Sequence, residues 1–486
     1  MIRKSLLLAL CAATSFVAAC STNEATGRSQ FTGLMNTAHE NQFGGSDHQR
    51  GEAQFGVYQN AQVQAYVDGL CSRLQQVVER RDVQYKCTVL DSPVVNAFAL
   101  PGGYININRG LLAYANSEAE LVSVLAHEMG HVTARHISER YSTGALTQIG
   151  GALASAAIGS SAANQLIGAA GSLYLSSYSR SQESEADGLG IRYLQAAGYD
   201  PMAMAGFLSN LQRESQLGAA EQGQEYKEMR SFTADHPLTS DRVAQATQIA
   251  SNIQGRGTDV GTDRLLSAIN GITFGDSAKD GLVVGNEFIQ PQMGFAFAIP
   301  QGFSVNNGAN QITGQARNGS GAAFIFDVAG KPSGMAPDNY LQQWVGTAGR
   351  LSNIQNMDVN GMRAATGEAQ GAINGKQAAL RLVAVEWSPT EAYRFQFGMP
   401  QGTSAQDVEA FKTMSYSLRR LSAGEGNNIR TRRLQVVTAM SSDSVQSLAS
   451  RMAYTDGLQD MRFRALNGLN AGQGVIAGQK YKIVVQ

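Results

Sequence analysis

Apolar and polar positions along this chain change period from block to block, and each change predicts an element. From Ser21 to about Gly51 the residues are polar without a period, which predicts a tether over residues 20–51. From Glu52 a pattern appears. Helical spacing of apolar residues predicts a helix over Ala61–Glu79, and VQYKCTVL predicts a strand around Gln84–Leu90. In VVNAFALPGGYININRGLL a turn is marked by Pro101-Gly102-Gly103. Beyond it Ile105 and Ile107 alternate with Asn106 and Asn108, so Tyr104–Asn108 is a predicted strand. Next comes the strongest helical segment, SEAELVSVLAHEMGHVTARH, Ser117–His136, with Ser117 and Glu120 set as an S-x-x-E capping box.

Beyond this helix, Thr143–Tyr174 is rich in Ala, Gly and Ser. It reads as a buried helical hairpin, or as a flap or membrane-touching segment beside a cleft. Further helices are predicted from the Asp200-Pro201 cap to about Glu214, and after His236-Pro237 with a cap near Thr239 or Ser240. A Gly- and Asp-rich stretch, 255–286, reads as a linker. Residues 287–421 then take a strand period in FAFAIPQGF, AAFIFDVAG, AALRLVAVEW and EAYRFQFGM, with helices near Asn339–Leu351 and Ala405–Ser417. A second linker, 422–429, leads to a last segment, 430–486, patterned as strand, two short helices and strand.

Composition narrows the class. With 486 residues, 43% hydrophobic and 16% charged, the chain is globular and long enough for several domains. Lys plus Arg number 38 against 39 Asp plus Glu, without a basic run, so nucleic acid is not an expected partner. The start, MIRKSLLLALCAATSFVAAC, has a basic end, an apolar core and small residues before Cys20, as a signal segment over 1–19 does. Val17-Ala18-Ala19-Cys20 resembles a bacterial lipobox, which implies cleavage before Cys20 and lipid on that cysteine. The plainer reading is a secretory signal cut elsewhere. Ser21 in place of Asp favours the periplasmic face of the outer membrane. With Cys11 removed, Cys71 and Cys87 remain, either as a disulfide joining a helix to a strand or as two buried thiols.

The candidate chemistry is in HEMGH. His127 and His131 lie four apart on one helical face, where two imidazoles reach one metal ion, and Glu128 sits beside them as a candidate general base. A third ligand is available in SYSRSQESEADGLGIRYL. Glu183, Glu185 and Asp187 are all candidates by chemistry, and Glu183 and Asp187 share a helical face. One of them could complete a His₂Glu site while the other holds an imidazole. His236, in a loop at a helix entrance, is a candidate for the metal or an oxyanion, or a plain capping histidine.

In order, NAFALPGGYI, GLL, HEMGHVTARH, SRSQESEAD and HPLTSDR resemble the HtpX/BepA/LoiP group of bacterial zinc endopeptidases, the family of the CAAX prenyl endopeptidases and the mitochondrial Oma protease. The resemblance covers about Glu52–Asn252. It implies one Zn²⁺ held by His127, His131 and Glu183, with Glu128 as catalytic base. Asp187 is implied as proton donor or histidine orienter, and His236 as a fourth ligand at rest or an oxyanion stabiliser. In zincins a strand placed like Tyr104–Asn108 lies along the cleft and pairs with an extended substrate, although an ordinary hairpin strand has the same pattern.

The implied fold is α+β and multidomain. A mainly helical zincin (gluzincin) protease domain with a small sheet, 52–254, precedes a PsbP/Mog-like α/β domain, 287–421, and a LysM-like βααβ module, 430–486. Peptidoglycan is the partner implied by a LysM module. Ser442-Asp443-Ser444 replaces the usual Gly-Asp-Thr turn there, which leaves a protein-contact role open. The implied substrates are polypeptides, in outer-membrane or envelope protein quality control. The competing expectations are a holdase-like assembly factor with a latched zinc site and a peptidoglycan-anchored binding protein.

Overall fold

A computed structural model of the chain describes residues 20–146, 177–223, 225–226, 236, 240–255, 257–308, 310–346, 350–373, 376–426 and 429–486. The signal segment and the Ala-rich segment from residue 147 to Tyr174 lie outside these residues. The chain divides into two compact units. One comprises the residues up to Gly218 with Tyr226–Phe274 and Arg433–Val485; the other comprises Ala219–Glu225 and Gly275–Arg432.

In the first unit, β1 (Cys20–Thr22) and β2 (Ser29–Phe31) form an antiparallel hairpin, followed by α1 (Thr37–Phe55), whose N-terminus is capped by Asn36 accepting from the His39 N–H. The expected tether is therefore ordered structure. Its helix escaped the hydrophobic pattern because its buried face is Glu40, Gly44 and His48. Glu40 is held by charge instead of apolar contact: Arg80 Nη2 donates to Oε2 at 2.7 Å and Arg135 Nε to Oε1 at 2.9 Å. Gly44 is required by closeness, since a Cβ there would meet the Pro101 carbonyl oxygen.

Helix α2 (Ala61–Gln75) buries Val63, Val67, Leu70, Cys71 and Leu74 against a three-stranded sheet, to which the Cys71–Cys87 disulfide joins it. The bridge spans 16 residues, a loop for which chain entropy predicts about 3 kcal/mol. The sheet contains β3 (Lys86–Leu90), β4 (Ala97–Leu100) and β5 (Tyr104–Asn108) in the order β3-β5-β4, with β3 parallel and β4 antiparallel to β5. The strand expected to accept substrate, Tyr104–Asn108, is thus the central one. Its backbone is paired on both sides, and the edge nearest the motif helix belongs to β4.

After α3 (Arg109–Tyr114) comes the motif helix α4 (Glu118–Thr133). Ser117 Oγ accepts the Glu120 N–H at 3.1 Å as the capping pattern predicts. The box does not close on Ser117, however: Glu120 turns to the Asn116 N–H at 2.7 Å and to Asn210 Nδ2 at 2.8 Å. Helix α5 (Arg180–Ala196) has a complete capping box between Ser179 and Gln182. It is followed by α6 (Ala203–Glu221), α7 (Ser240–Ser251) and α8 (Thr262–Ile269). The last lies inside the expected linker 255–286. It is short and flanked by Gly and Asp, but it buries Leu265, Leu266 and Ile269 in the core of the first unit. Among the described residues no helix is long and apolar enough to cross a membrane.

The second unit is rich in strands, and its described strand pairs are all antiparallel. One sheet has four strands, including β6 (Glu287–Gln290) and β7 (Phe295–Ala298). The other has seven, including β8 (Ala323–Gly330), β9 (Lys376–Ser388) and β10 (Glu391–Pro400). Alternating phenylalanines of β7, β8 and β10 (Phe295, Phe297, Phe324, Phe326, Phe395 and Phe397) meet in one aromatic core, the physical content of the period-2 pattern. Helices α9 (Pro337–Val345) and α10 (Ala405–Ser417) complete it.

The last segment has the expected order: β11 (Arg433–Thr438), α11 (Val445–Ala449), α12 (Gln459–Asn467) and β12 (Lys480–Val485), with the strands antiparallel. It is continuous with the first unit, for Leu434, Leu448, Phe463, Leu466 and Ile483 share one core with α2, α4 and α6. Its Lys482 is fully buried and donates to the carbonyls of Ala113 (2.7 Å) and Ala115 (2.6 Å) at the end of α3, where a helix C-terminus favours a cation. Burial pushes Lys482 down and Glu120 up from their ordinary ranges, each charge partly offsetting the other's penalty.

A chain ending at Arg432 should therefore lose stability as well as any module function. We expect a thermal midpoint well below that of the full chain, or insoluble protein, with Lys482→Met costing about 1–3 kcal/mol by orphaning two carbonyls. An unchanged midpoint for the shortened chain would refute this.

Candidate metal centre

Four of the chain's six histidines converge around α4 and α5. On α4, His127 and His131 are one turn apart with Nε2 atoms 3.0 Å from each other. Helix α5 packs against them closely because both helices carry a glycine at the contact. A Cβ on Gly130 would meet the Ala186 carbonyl oxygen at 3.0 Å, and one on Gly190 the His127 backbone nitrogen at 3.1 Å. A helical glycine costs about 1 kcal/mol relative to alanine, and here it permits an approach that alanine would hinder. The approach brings Glu183 Oε2 to 3.6 Å from His127 Nε2 and Glu183 Oε1 to 3.5 Å from His131 Nε2.

His236 joins the group, with Nδ1 at 2.9 Å from Glu183 Oε1. One ligand atom from each of His127, His131, Glu183 and His236 lies within 4.8 Å of all the others, and all four residues are buried. Zinc with nitrogen and oxygen ligands at 2.0–2.1 Å in a tetrahedron would separate them by about 3.4 Å. The two imidazole nitrogens, 3.0 Å apart, and the two Glu183 oxygens, each about 3.5 Å from one of them, lie near that measure, and the donor set is that of a zinc site. Glu128 supplies a further observation: it is buried, and its Oε2 has no hydrogen-bond partner among the described residues. An orphaned carboxylate oxygen beside a metal-ligand cluster fits a group that handles protons.

Asp187 stands behind His127, with Oδ1 2.8 Å from His127 Nδ1. Sequence reasoning missed its own partner. Arg242 at the start of α7 donates to Asp187 through Nε and Nη2, both at 2.8 Å, and its Nη1 is 2.6 Å from Glu183 Oε2. The arginine of HPLTSDR was visible, yet an arginine at a helix start ordinarily faces solvent. Glu185, the third carboxylate candidate, turns away from the ligand cluster and meets His136 Nε2 at 2.8 Å. Tyr178 stacks on the His131 ring at 3.8 Å between centroids.

The electrostatics follow from burial and neighbours. For Glu183, burial favours the neutral acid, but His236, His131 and Arg242 outweigh it and hold the carboxyl well below its usual range. Asp187 is lowered the same way, burial being overcome by Arg242 and His127. Glu128 is raised by burial. Burial also lowers His131, strongly, and His136. His236 goes the other way: burial is outweighed by Glu183 and Glu128, which raise it to about 9.

Residues 58–250 match the sequence profile described as Peptidase family M48. This segment is a Peptidase family M48 domain. The chain is 35% identical over 196 residues to the Putative beta-barrel assembly-enhancing protease of Vibrio cholerae serotype O1, covering 38% of each chain. It is 36% identical over 120 residues to the Mitochondrial metalloendopeptidase OMA1 of Arabidopsis thaliana, covering 24% of each. Metalloprotease LoiP of Escherichia coli K12 is 28% identical over 177 residues, 36% of this chain and 65% of that one. The chain thus spans about two fifths of the length of the assembly-enhancing proteases that it matches.

Two outcomes test the centre of this M48 domain. Arg242→Leu would strand Glu183 and Asp187 as buried charges, and we expect a loss of about 3–5 kcal/mol in denaturant unfolding, a near-wild-type midpoint being the contrary result. In metal-free protein the histidines oppose one another. His131 and His136 stay neutral where the unfolded chain takes up protons, so their contribution falls as pH drops below about 6.5. The contribution of His236 is complete below about 6.5 and is lost as pH rises through about 9. The thermal midpoint of the metal-free protein should peak near that lower value, and a flat profile would contradict the assignment.

Proposed function

We propose that this chain is a zinc metalloendopeptidase with the two histidines of HEMGH and Glu183 as its ligands and Glu128 as its base. One observation carries the reading: a buried carboxylate with a free oxygen stands beside a buried His₂Glu group whose ligand atoms lie within 4.8 Å of one another. When bound there, zinc supplies Lewis acidity to a water and to the scissile carbonyl. Glu128 takes the proton of the attacking water and returns it to the leaving amine, a task suited to a carboxyl raised by burial. Asp187, gripped by Arg242, keeps His127 in the tautomer whose Nε2 is free to bind. His236, cationic between Glu183 and Glu128 in the metal-free chain, is the candidate oxyanion stabiliser or resting fourth ligand.

The substrate class is polypeptide in extended form. Edge strand β4 packs against the motif helix that carries Glu128, and strand addition along β4 would bring a peptide to the base. The relatives named for beta-barrel assembly support a role in outer-membrane protein assembly or quality control. Lipid on Cys20 and residence on the periplasmic face of the outer membrane rest on the lipobox resemblance. For the last segment, burial of Lys482 and of its apolar residues in the first unit's core favours a structural role over a detachable peptidoglycan anchor.

Glu128→Gln is the decisive variant. It should keep one zinc per chain and lose about 10²–10⁴-fold in cleavage of an unfolded polypeptide. Chelation should abolish wild-type cleavage, and zinc should restore it. Undiminished proteolysis by the variant would remove Glu128 from the mechanism. Failure of wild type to take up zinc under replete conditions would remove the reading altogether.

A further inference from the structure

The two ligand imidazoles are held from behind in different ways. His127 meets a carboxylate directly, at Asp187. Behind His131 stands another imidazole: its Nδ1 is 2.8 Å from His136 Nδ1, and His136 Nε2 is 2.8 Å from Glu185 Oε2. Two ring nitrogens that close share one proton, so one ring donates and the other accepts. Ionised Glu185 can only accept, and Arg28, 3.5 Å from its Oε2, keeps it so. His136 therefore gives its Nε2 proton to Glu185 and presents a lone pair at Nδ1. His131 donates into that lone pair and leaves its own Nε2 bare, facing His127 and Glu183. The reverse arrangement would put the His131 proton on Nε2 and close that atom to a metal.

The backbone around His136 is built to hold this geometry. The motif helix ends at Thr133, and Arg135 then takes a left-handed conformation, φ 54°, which turns His136 back beneath His131. A non-glycine residue there persists only when its surroundings fix it. Arg135 is fixed by three hydrogen bonds, to Glu40 Oε1 (2.9 Å), Thr32 Oγ1 (3.1 Å) and the Met35 carbonyl (2.6 Å). Arg28 belongs to the β1–β2 hairpin connection and also pairs with Glu139 at 2.6 Å. Tyr178, stacked on His131, restrains the ring from its face.

We propose that His136 and Glu185 are positioning residues, a carboxylate–imidazole relay that sets the tautomer and orientation of His131 for zinc, as Asp187 does for His127. The proposal rests on the zinc reading above. Its test is the zinc affinity of full-length protein, measured by competition with a chelator, together with the thermal midpoint of each metal-free variant. His136→Leu should weaken zinc binding about 10–100-fold, the usual effect of losing such a partner. His136→Asn, whose Oδ1 can replace the Nδ1 acceptor, should recover part of that loss. Glu185→Gln should weaken binding in the wild-type background and have no further effect in His136→Leu, because Glu185 acts only through His136.

Glu185 is partly exposed, so its variant remains informative even if His136→Leu fails to fold. Wild-type affinity in Glu185→Gln, or an equal effect of Glu185→Gln in both backgrounds, overturns the relay. So does a drop in metal-free stability with zinc affinity unchanged, the pattern of a merely structural pair. If wild type itself takes up no zinc, the zinc reading fails and the relay with it, an outcome distinct from normal uptake by wild type and variants alike.

Discussion

Burying Glu183 and Asp187 on one face of α5, against two imidazoles of α4, is the constraint on which the first unit depends. An ionised carboxylate taken out of water is costly unless it is paired and hydrogen-bonded. Here each has its partners: Glu183 has His236 and Arg242, and Asp187 has Arg242 and His127. The glycines at the α4–α5 contact make the distances short enough for the pairing to offset desolvation. One arginine serves two carboxylates with different tasks, one facing the ligand cluster and the other facing the back of a ligand. Its fork geometry suits that double duty, where a lysine would offer only a point charge.

The motif helix is pinned at both ends by chain remote from the motif. At its start Glu118 accepts from Tyr66, Tyr199 and Arg264, placing a negative charge where the helix dipole favours one. Glu120, one turn in, faces the surroundings that Lys482 of the last strand enters. At its end Arg135 is clamped by residues from α1 and the segment before it. Metal ligands need positions good to a fraction of an ångström, and rigid supports at both ends of one helix supply that better than a loop would.

Much of the centre was legible because it is written in spacing. Two histidines four apart, and two acids four apart on a later helix, declare shared faces whatever the tertiary structure. What escaped is what spacing cannot encode. Arg242 carried no sequence signal of its own, since only the packed structure reveals two carboxylates at its fork. Helix α1 looked like tether because its buried face is Glu40, Gly44 and His48, and hydrophobic periodicity is blind to a helix docked by charge and by a glycine contact. Tyr104–Asn108 looked like an edge because strand order is not in the local pattern: Lys86–Leu90 pairs with it directly and in parallel, although β4 lies between them in sequence. Helix Thr262–Ile269 was lost among glycines and acids, its three apolar residues being too few to announce a core element.

The family match at 58–250 therefore does not delimit the folding unit. Glu40 and Arg28 before it contribute the buried acid that clamps Arg135 and the cation beside Glu185. Leu434, Phe463, Ile483 and Lys482 after it fill the core and the carbonyl ends beneath the motif helix. Such additions are close to obligatory once present. The core surface packed against β12 is apolar where solvent would otherwise stand, and two carbonyls matched to Lys482 are unsatisfied without it. The segment patterned as a LysM-like module packs into the same core as the helix bearing His127 and His131, and so forms part of its support.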